Sequence, residues 1–371
     1  MHWNSMTGVR FRDAWERKGL IGKLLWFLLV PASSVYLLLV YIRNALYSLG
    51  WMPVHTLPRP VISIGNLTVG GTGKTPSCLW LAGELEKRGF KVAILSRGYR
   101  RRQSKPLILD ARGDLAGTRR VSLDISAAGD EPFMMARVYG QLIGIGKNRY
   151  QTAQNLLSQR NVDVFLLDDG YQHRQLKRDV DLLLLGIDCR GSVLPAGPFR
   201  ESIKSLRRAD YFLITGAAEA WRSLIPRNGD ERCFAGSLRS VALVGFESDH
   251  WKKYPLSLLY RSKILTVTGI ADTTGFYRMI HEWEGEIVET LEFSDHHSYS
   301  ARDWQQINRL SRRIDLIITT EKDMVKLICF PFPKDKLLAL RVAMAVENGD
   351  ALVNALANKI IATTERTTPL K

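Results

Sequence analysis

The segment Thr68–Thr75 (TVGGTGKT) carries the residue types that bind polyphosphate. Gly70, Gly71 and Gly73 are expected to let the backbone turn with positive φ and aim N–H groups inward at phosphate oxygens. Thr68, Val69 and Thr72 complete the loop. Lys74 would reach the β- and γ-phosphates and neutralise the group in transfer, while the Thr75 hydroxyl would take a Mg²⁺ position. A helix beginning here adds partial positive charge at the same point. The general pattern has glycine where Thr68 stands. A glycine-rich turn with an exposed lysine is the plainer alternative; a strand before and a helix after weigh against it.

Phosphate chemistry of this kind needs an acidic residue at the end of a neighbouring apolar strand to hold the metal. Asp163–Asp169 (DVFLLDD) supplies Asp168 and Asp169, with the direct ligand of the two left open. A strand-terminating Asp-Asp-Gly turn is the structural alternative. Guanine readers use N-K-x-D and D-x-x-G motifs, and Thr320–Asp323 (TEKD) is the nearest echo, at the wrong spacing. The main reason to expect a GTPase is thereby removed.

These residues need elements to position them. Val61–Ile64 reads as the strand entering the loop, and Thr75–Arg88 as the helix leaving it, with Pro76 tolerated in the first turn. Lys91–Ser96, Asp163–Asp168, Asp181–Ile187 and Tyr211–Thr215 read as further strands, the near-continuous apolar ones being covered on both faces. A sparser stretch, Pro226–Gly236, reads as a connection. Beyond it, Ile264–Ile270, Leu316–Thr320 and Leu337–Val346 read as strands and Thr273–Trp283, Ala301–Arg313 and Ala351–Ile361 as helices. Strands alternating with helices predict parallel sheets in both halves. The fold expected is α/β: a P-loop NTPase-type domain over 53–225 and a smaller α/β domain over 237–348. A membrane-associated segment over 1–52 precedes them, and a helix and tail over 349–371 follows.

At 371 residues, 46% apolar and 24% charged, the chain is globular and long enough for two domains. Its 52 Lys+Arg against 37 Asp+Glu leave +15, which suits anionic partners. Nucleic acid ranks last among these, because the aromatics fall in the apolar segment or in core elements rather than among exposed basic residues. Four scattered cysteines, without a CxxC pair, argue against a zinc site or a disulfide framework and fit a reducing compartment.

Leu24–Ile42 (LLWFLLVPASSVYLLLVYI) has no charge and approaches the length of a membrane span. Pro31, with Ser33 and Ser34, is expected to divide it by a kink or a re-entrant hairpin. Both flanks are basic: Arg10, Arg12, Arg17, Lys18 and Lys23 before, Arg43 after. One span cannot satisfy the positive-inside tendency at both ends. A segment embedded in one leaflet follows, with Trp26, Tyr36, Tyr41 and Trp51 near the interface. A buried core helix and a cleaved signal peptide are the competing readings, and the phosphate motif that follows argues against the second.

The runs Ile64–Pro76 (IGNLTVGGTGKTP), Leu95–Arg102 (LSRGYRRR), Gly129–Pro132 (GDEP), Asp168–Arg174 (DDGYQHR), Leu194–Glu201 (LPAGPFRE), Leu206–Asp210 (LRRAD), Ser294–Ser300 (SDHHSYS) and Thr319–Leu327 (TTEKDMVKL) occur in one order. Together they resemble the tetraacyldisaccharide 4′-kinase family. The resemblance implies transfer of the ATP γ-phosphate to the 4′-hydroxyl of a tetraacylated glucosamine disaccharide 1-phosphate, with Mg²⁺, in lipid A biosynthesis. It implies work at the cytoplasmic face of the inner membrane, on an anionic, acylated substrate; no protein partner is expected.

By the same resemblance Asp130 is the base, assisted by His296. Arg97, Tyr99, Arg149, Gln172, His173, Arg200 and Glu201 match substrate-site positions. Each of these also fits a structural ion pair, Asp130 also fits a helix cap, and His296 an ordinary surface histidine. Arg100–Arg102, Arg207 and Arg208 read as a basic face toward lipid headgroups. The rival to a lipid kinase is a membrane-tethered P-loop ATPase that drives a partner or delivers a metal.

Overall fold

Strand β1 (Val61–Asn66) is buried along its whole length, and the chain around it explains why. It lies between β5 (Val164–Asp168) and β6 (Val180–Leu185), parallel to both. Helices cover the faces, so apolar side chains are wanted on both sides of each strand. The computed structural model describes residues 14–99, 101, 105–110, 125–225, 231–247, 250–333 and 335–367. Arg10, Arg12, Arg100, Arg102 and the stretch 226–230 lie outside them.

The first half continues with β2 (Val92–Ser96), β3 (Leu107–Asp110), β4 (Leu142–Ile145) and β7 (Tyr211–Ile214); only β3 runs antiparallel to its neighbour there. The second half holds β10 (Lys263–Thr268), β11 (Glu286–Glu292), β12 (Leu316–Thr320) and β13 (Leu337–Val346), parallel in order β11-β10-β12-β13. Between the halves runs β8 (Cys233–Glu247), with β9 (His250–Tyr254) paired to it. Its first residues pair parallel with β7 and its remainder antiparallel with β13. Residues Cys233–Gly236, expected in a connection, are thus strand, and one hydrogen-bonded sheet path crosses both halves.

Helix α1 (Gly19–Ser48) is unbroken through Pro31, so the expected hairpin does not form. A mid-helix proline costs roughly 3 kcal/mol. That loss is offset by bonds from one helix face to the body. Ser33 Oγ donates to Val193 O (3.0 Å) and accepts from the Ala196 N–H (2.8 Å). Tyr36 OH donates to Arg200 O at 2.9 Å, which turns this tyrosine inward rather than toward an interface. The opposite face is bare and apolar: Leu20, Leu24, Phe27, Leu28 and Leu39 are 59–84% exposed.

Helix α2 (Lys74–Lys87) follows the phosphate loop, and α3 (Asp130–Tyr139) and α4 (Arg149–Leu157) flank β4. Helix α5 (Glu321–Leu327) leaves β12 in the second half and packs against α3 of the first. Glu321 joins them, accepting from Tyr139 OH (2.6 Å) and Arg341 Nε (2.7 Å). The last helix, α6 (Gly349–Thr367), returns to the first half, where Leu352, Val353, Leu356 and Ile360 enter the core around α2.

Candidate active site

Because β1, β2 and β5 are parallel, their C-terminal ends share one edge of the sheet, where ligands bind in open α/β folds. From β1 emerges the loop 67–73, from β2 Arg97 and Tyr99, and from β5 Asp168 and Asp169. Gly70 (φ 113°) and Gly73 (φ 81°) adopt the left-handed backbone that the loop requires. Gly71 does not; its role is open space instead. Among the described residues, no heavy atom lies within 4 Å of where a Cβ on Gly70 or Gly71 would stand. The loop is pinned by the Val69 N–H bond to Pro198 O (2.8 Å) and by Asn66 Nδ2 donating to Thr72 Oγ1 (2.9 Å). This room, the N-terminus of α2 and Lys74 together fit a triphosphate.

Asp169 lies at the centre of the loop's charges. Arg200 NH1 lies 2.8 and 2.9 Å from its two oxygens, and Lys74 Nζ is 3.8 Å away. Burial raises this carboxyl, but Lys74 and Arg200 outweigh it and hold it below the usual carboxylate range. Asp168 differs. It is buried, with Ser96 Oγ at 3.5 Å, and burial aided by Glu131 and Asp169 pushes its carboxyl up to about 7. Lys74 pairs with Asp169, and its charge also opposes the rise at Asp168. Among the described residues no group of three or more His, Cys, Asp or Glu could cage a metal. Mg²⁺ takes one or two carboxylates and completes its shell with phosphates and water. Thr75, Asp168 and Asp169 fit the protein's share.

Asp130 opens α3 in its first turn; the cap is Gly129 (φ 89°), so Asp130 is not the capping residue. Its Oδ2 meets His296 Nδ1 at 3.3 Å and Lys326 Nζ at 3.4 Å. Burial pushes this carboxyl up, yet His296 and Lys326 prevail and keep it ionised below its ordinary value. His296 sits at φ 59° in the loop after β11, with the Tyr99 ring tilted against it at 5.3 Å. Its Nε2 is 3.1 Å from Lys322 Nζ. Sequence reasoning did not single out Lys322 or Lys326; their i, i+4 spacing on a helix, which puts both on one face, was the available signal.

The other expected contacts divide into groups. Arg149 is buried at the start of α4, where burial and Arg97 pull its guanidinium down to about 10 against Asp168 and Asp169. Gln172 Nε2 donates to Asn66 O at 3.0 Å, tying the two loop strands. Burial, with Arg149, Arg178 and Arg97 nearby, pulls the His173 imidazole down to about 4. Glu201 is fully buried. Its carboxylate takes Arg208 (3.0 Å), Asn44 Nδ2 (2.9 Å), Ser205 Oγ (3.0 Å) and Arg43 (3.7 Å). It binds α1 to the body, and Arg208, expected on a headgroup-facing surface, is held here and stacks 4.6 Å over Tyr171.

A family model for tetraacyldisaccharide-1-P 4′-kinase matches residues 25–361. Among curated relatives, the tetraacyldisaccharide 4′-kinase of Geobacter sulfurreducens is 38% identical over 330 residues, 84% of this chain and 87% of its own. That of Halothermothrix orenii is 35% identical over 333 residues, 83% of this chain and 85% of its own. The crystal structure of LpxK from Aquifex aeolicus in complex with ATP is similar, with a TM-score of 0.74 at 30% identity over 91% of this chain and 99% of that one.

Proposed function

The chain belongs to the tetraacyldisaccharide-1-P 4′-kinase family, and from that premise we propose how its residues carry out lipid A 4′-kinase chemistry. The enzyme transfers the γ-phosphoryl of ATP to the 4′-hydroxyl of an acylated glucosamine disaccharide 1-phosphate. Mg²⁺, bound with the nucleotide, neutralises charge on the transferring group. Thr68–Thr75 cradles the phosphates and Lys74 steadies the γ-phosphoryl. The 4′-oxygen attacks phosphorus as Asp130 takes its proton, the bond to the bridging oxygen breaks, and its electron pair leaves with ADP. His296 orients Asp130. Arg97, Tyr99, Gln172, His173 and Arg200 line the approach for sugar and phosphate, with Arg149 behind them.

The observation that carries this reading is the Asp130–His296 contact, which brings a base from one half against an orienting group from the other. The attacking hydroxyl must lose its proton, and Asp130, held by His296, is placed to take it.

Helix α1 lies in one leaflet on the cytoplasmic side. Its inner face is bonded to the body from Ser33 to Ser48, about 24 Å of helix, so that length cannot be surrounded by lipid. Its outer apolar face meets acyl chains, and Arg17, Lys18 and Lys23 meet anionic headgroups. The test is transfer of labelled γ-phosphate to the tetraacyl disaccharide 1-phosphate in mixed micelles, beside Asp130→Ala. Lipid-dependent product that vanishes in the variant supports the reading; ATP turnover indifferent to lipid would replace it with the tethered ATPase.

A further inference from the structure

Helix α5 places Lys322 and Lys326 one turn apart, and their ammonium groups hold opposite ends of the Asp130–His296 pair. Lys326 Nζ is at Asp130 Oδ2, 3.4 Å. Lys322 Nζ is at His296 Nε2, 3.1 Å. An ammonium donates and never accepts. Nε2 must therefore hold the lone pair and Nδ1 the proton, which it donates to Asp130 Oδ2 at 3.3 Å. The other tautomer would set an N–H against the ammonium and a lone pair against the carboxylate, two repulsions in place of two bonds.

Lys322 is built into this position. Its side chain is 17% exposed and lies 3.2 Å from Glu131 Oε1 and 3.4 Å from Asp295 Oδ1. Burial works against its charge, but Glu131 and Asp295 outweigh it and raise the ammonium's pKa, so it remains a donor. The rival partner for Nε2 is Asp295 Oδ2 at 3.9 Å, beyond hydrogen-bond reach.

We infer that Lys322 is a positioning residue for phosphoryl transfer: it locks His296 as the Nδ1–H tautomer, so the imidazole steadies Asp130 and leaves that carboxylate as the base. With both ring nitrogens committed, His296 has no site for the substrate proton. This rests on Asp130 and His296 acting on the acceptor hydroxyl, as proposed above.

The experiment is nitrogen NMR of the ¹⁵N-histidine-labelled full chain in detergent micelles, with His296 assigned by its absence in His296→Gln. Wild type is expected to show the Nδ1–H pattern, and Lys322→Met to move His296 toward Nε2–H. In the same variant kcat should fall at least tenfold with KM for ATP within twofold. Lys322→Arg, which still donates, should restore the tautomer and most of kcat. Glu131→Gln, which removes an ion pair but leaves the Lys322–His296 bond, should not change the tautomer. An Nε2–H tautomer in wild type overturns the inference without any variant, as does an unchanged tautomer or unchanged kcat in Lys322→Met. Full activity in His296→Gln would instead overturn the pairing itself, a result separable because the tautomer is read without turnover.

Discussion

Asp130 Oδ2 and His296 Nδ1 stand 3.3 Å apart although 166 residues of chain separate them. One belongs to a helix of the first half, the other to a loop of the second. Their contact depends on α3 and α5 packing together, and on β8 carrying one sheet path through both halves. A shift between the halves would separate the proposed base from its proposed orienter.

If the pair acts as a unit, its members' losses do not multiply. Asp130→Asn should lower kcat by about 10²–10⁴, the usual contribution of a general base, and His296→Ala by somewhat less. The double variant should be little worse than Asp130→Asn alone. Steady-state kinetics in mixed micelles measure this, and losses that multiply fully would mean independent roles.

The phosphate loop and Asp168–Asp169 were legible in the sequence because each is local: glycines at fixed offsets, and acids at the exit of an apolar strand. The Arg200–Asp169 bond was not, since nothing in residue spacing shows that Leu194–Glu201 folds back beside β5. Strand β8 was missed for a related reason. Cys233–Glu247 is rich in small residues and only partly buried, and its stability as a strand comes from β7 and β13, distant in sequence. Glu201 matched a site position, yet its buried partners on α1 could be found only in three dimensions. The same holds for Tyr36, whose aromatic ring suggested an interface until its hydroxyl was seen bonded to Arg200 O.

His173 predicts an acid-sensitive fold. Its imidazole is pulled down to about 4 in the folded chain, against about 6.5 when unfolded. The folded state then binds fewer protons between these values, so stability is full above about pH 6.5 and lost as pH falls toward 4. The effect should be on the order of 3 kcal/mol. Urea melts of His173→Asn across pH 7 to 4 should lose this part of the slope; an unaltered slope would assign the acid sensitivity to other groups.

Glu201→Ala should act on stability before catalysis. Removing one partner of a buried ion pair costs roughly 3–5 kcal/mol, because the remaining charges stay desolvated. Here Arg208 would be left over Tyr171, and α1 would lose Arg43 and Asn44 as anchors. Thermal unfolding should come earlier and trypsin should cut sooner near Arg43, with KM for ATP within twofold. A variant as stable as wild type but with a raised KM for lipid would make Glu201 a substrate ligand instead.

The outer face of α1 allows membrane binding to be separated from folding. Leu24, Phe27 and Leu28 are 59%, 71% and 63% exposed, so replacing all three with serine removes little packing from the body. In a leaflet each buries roughly 1.5–3 kcal/mol of apolar surface. The triple variant should therefore bind anionic vesicles at least about a hundredfold more weakly in flotation, with an unchanged melting temperature. Turnover of a short-chain, water-soluble acceptor should persist while turnover of vesicle-embedded lipid falls. If vesicle binding were unchanged, the basic flanks alone would hold the enzyme to the membrane. If the melting temperature collapsed instead, this face would be part of the protein's packing rather than its surface toward lipid.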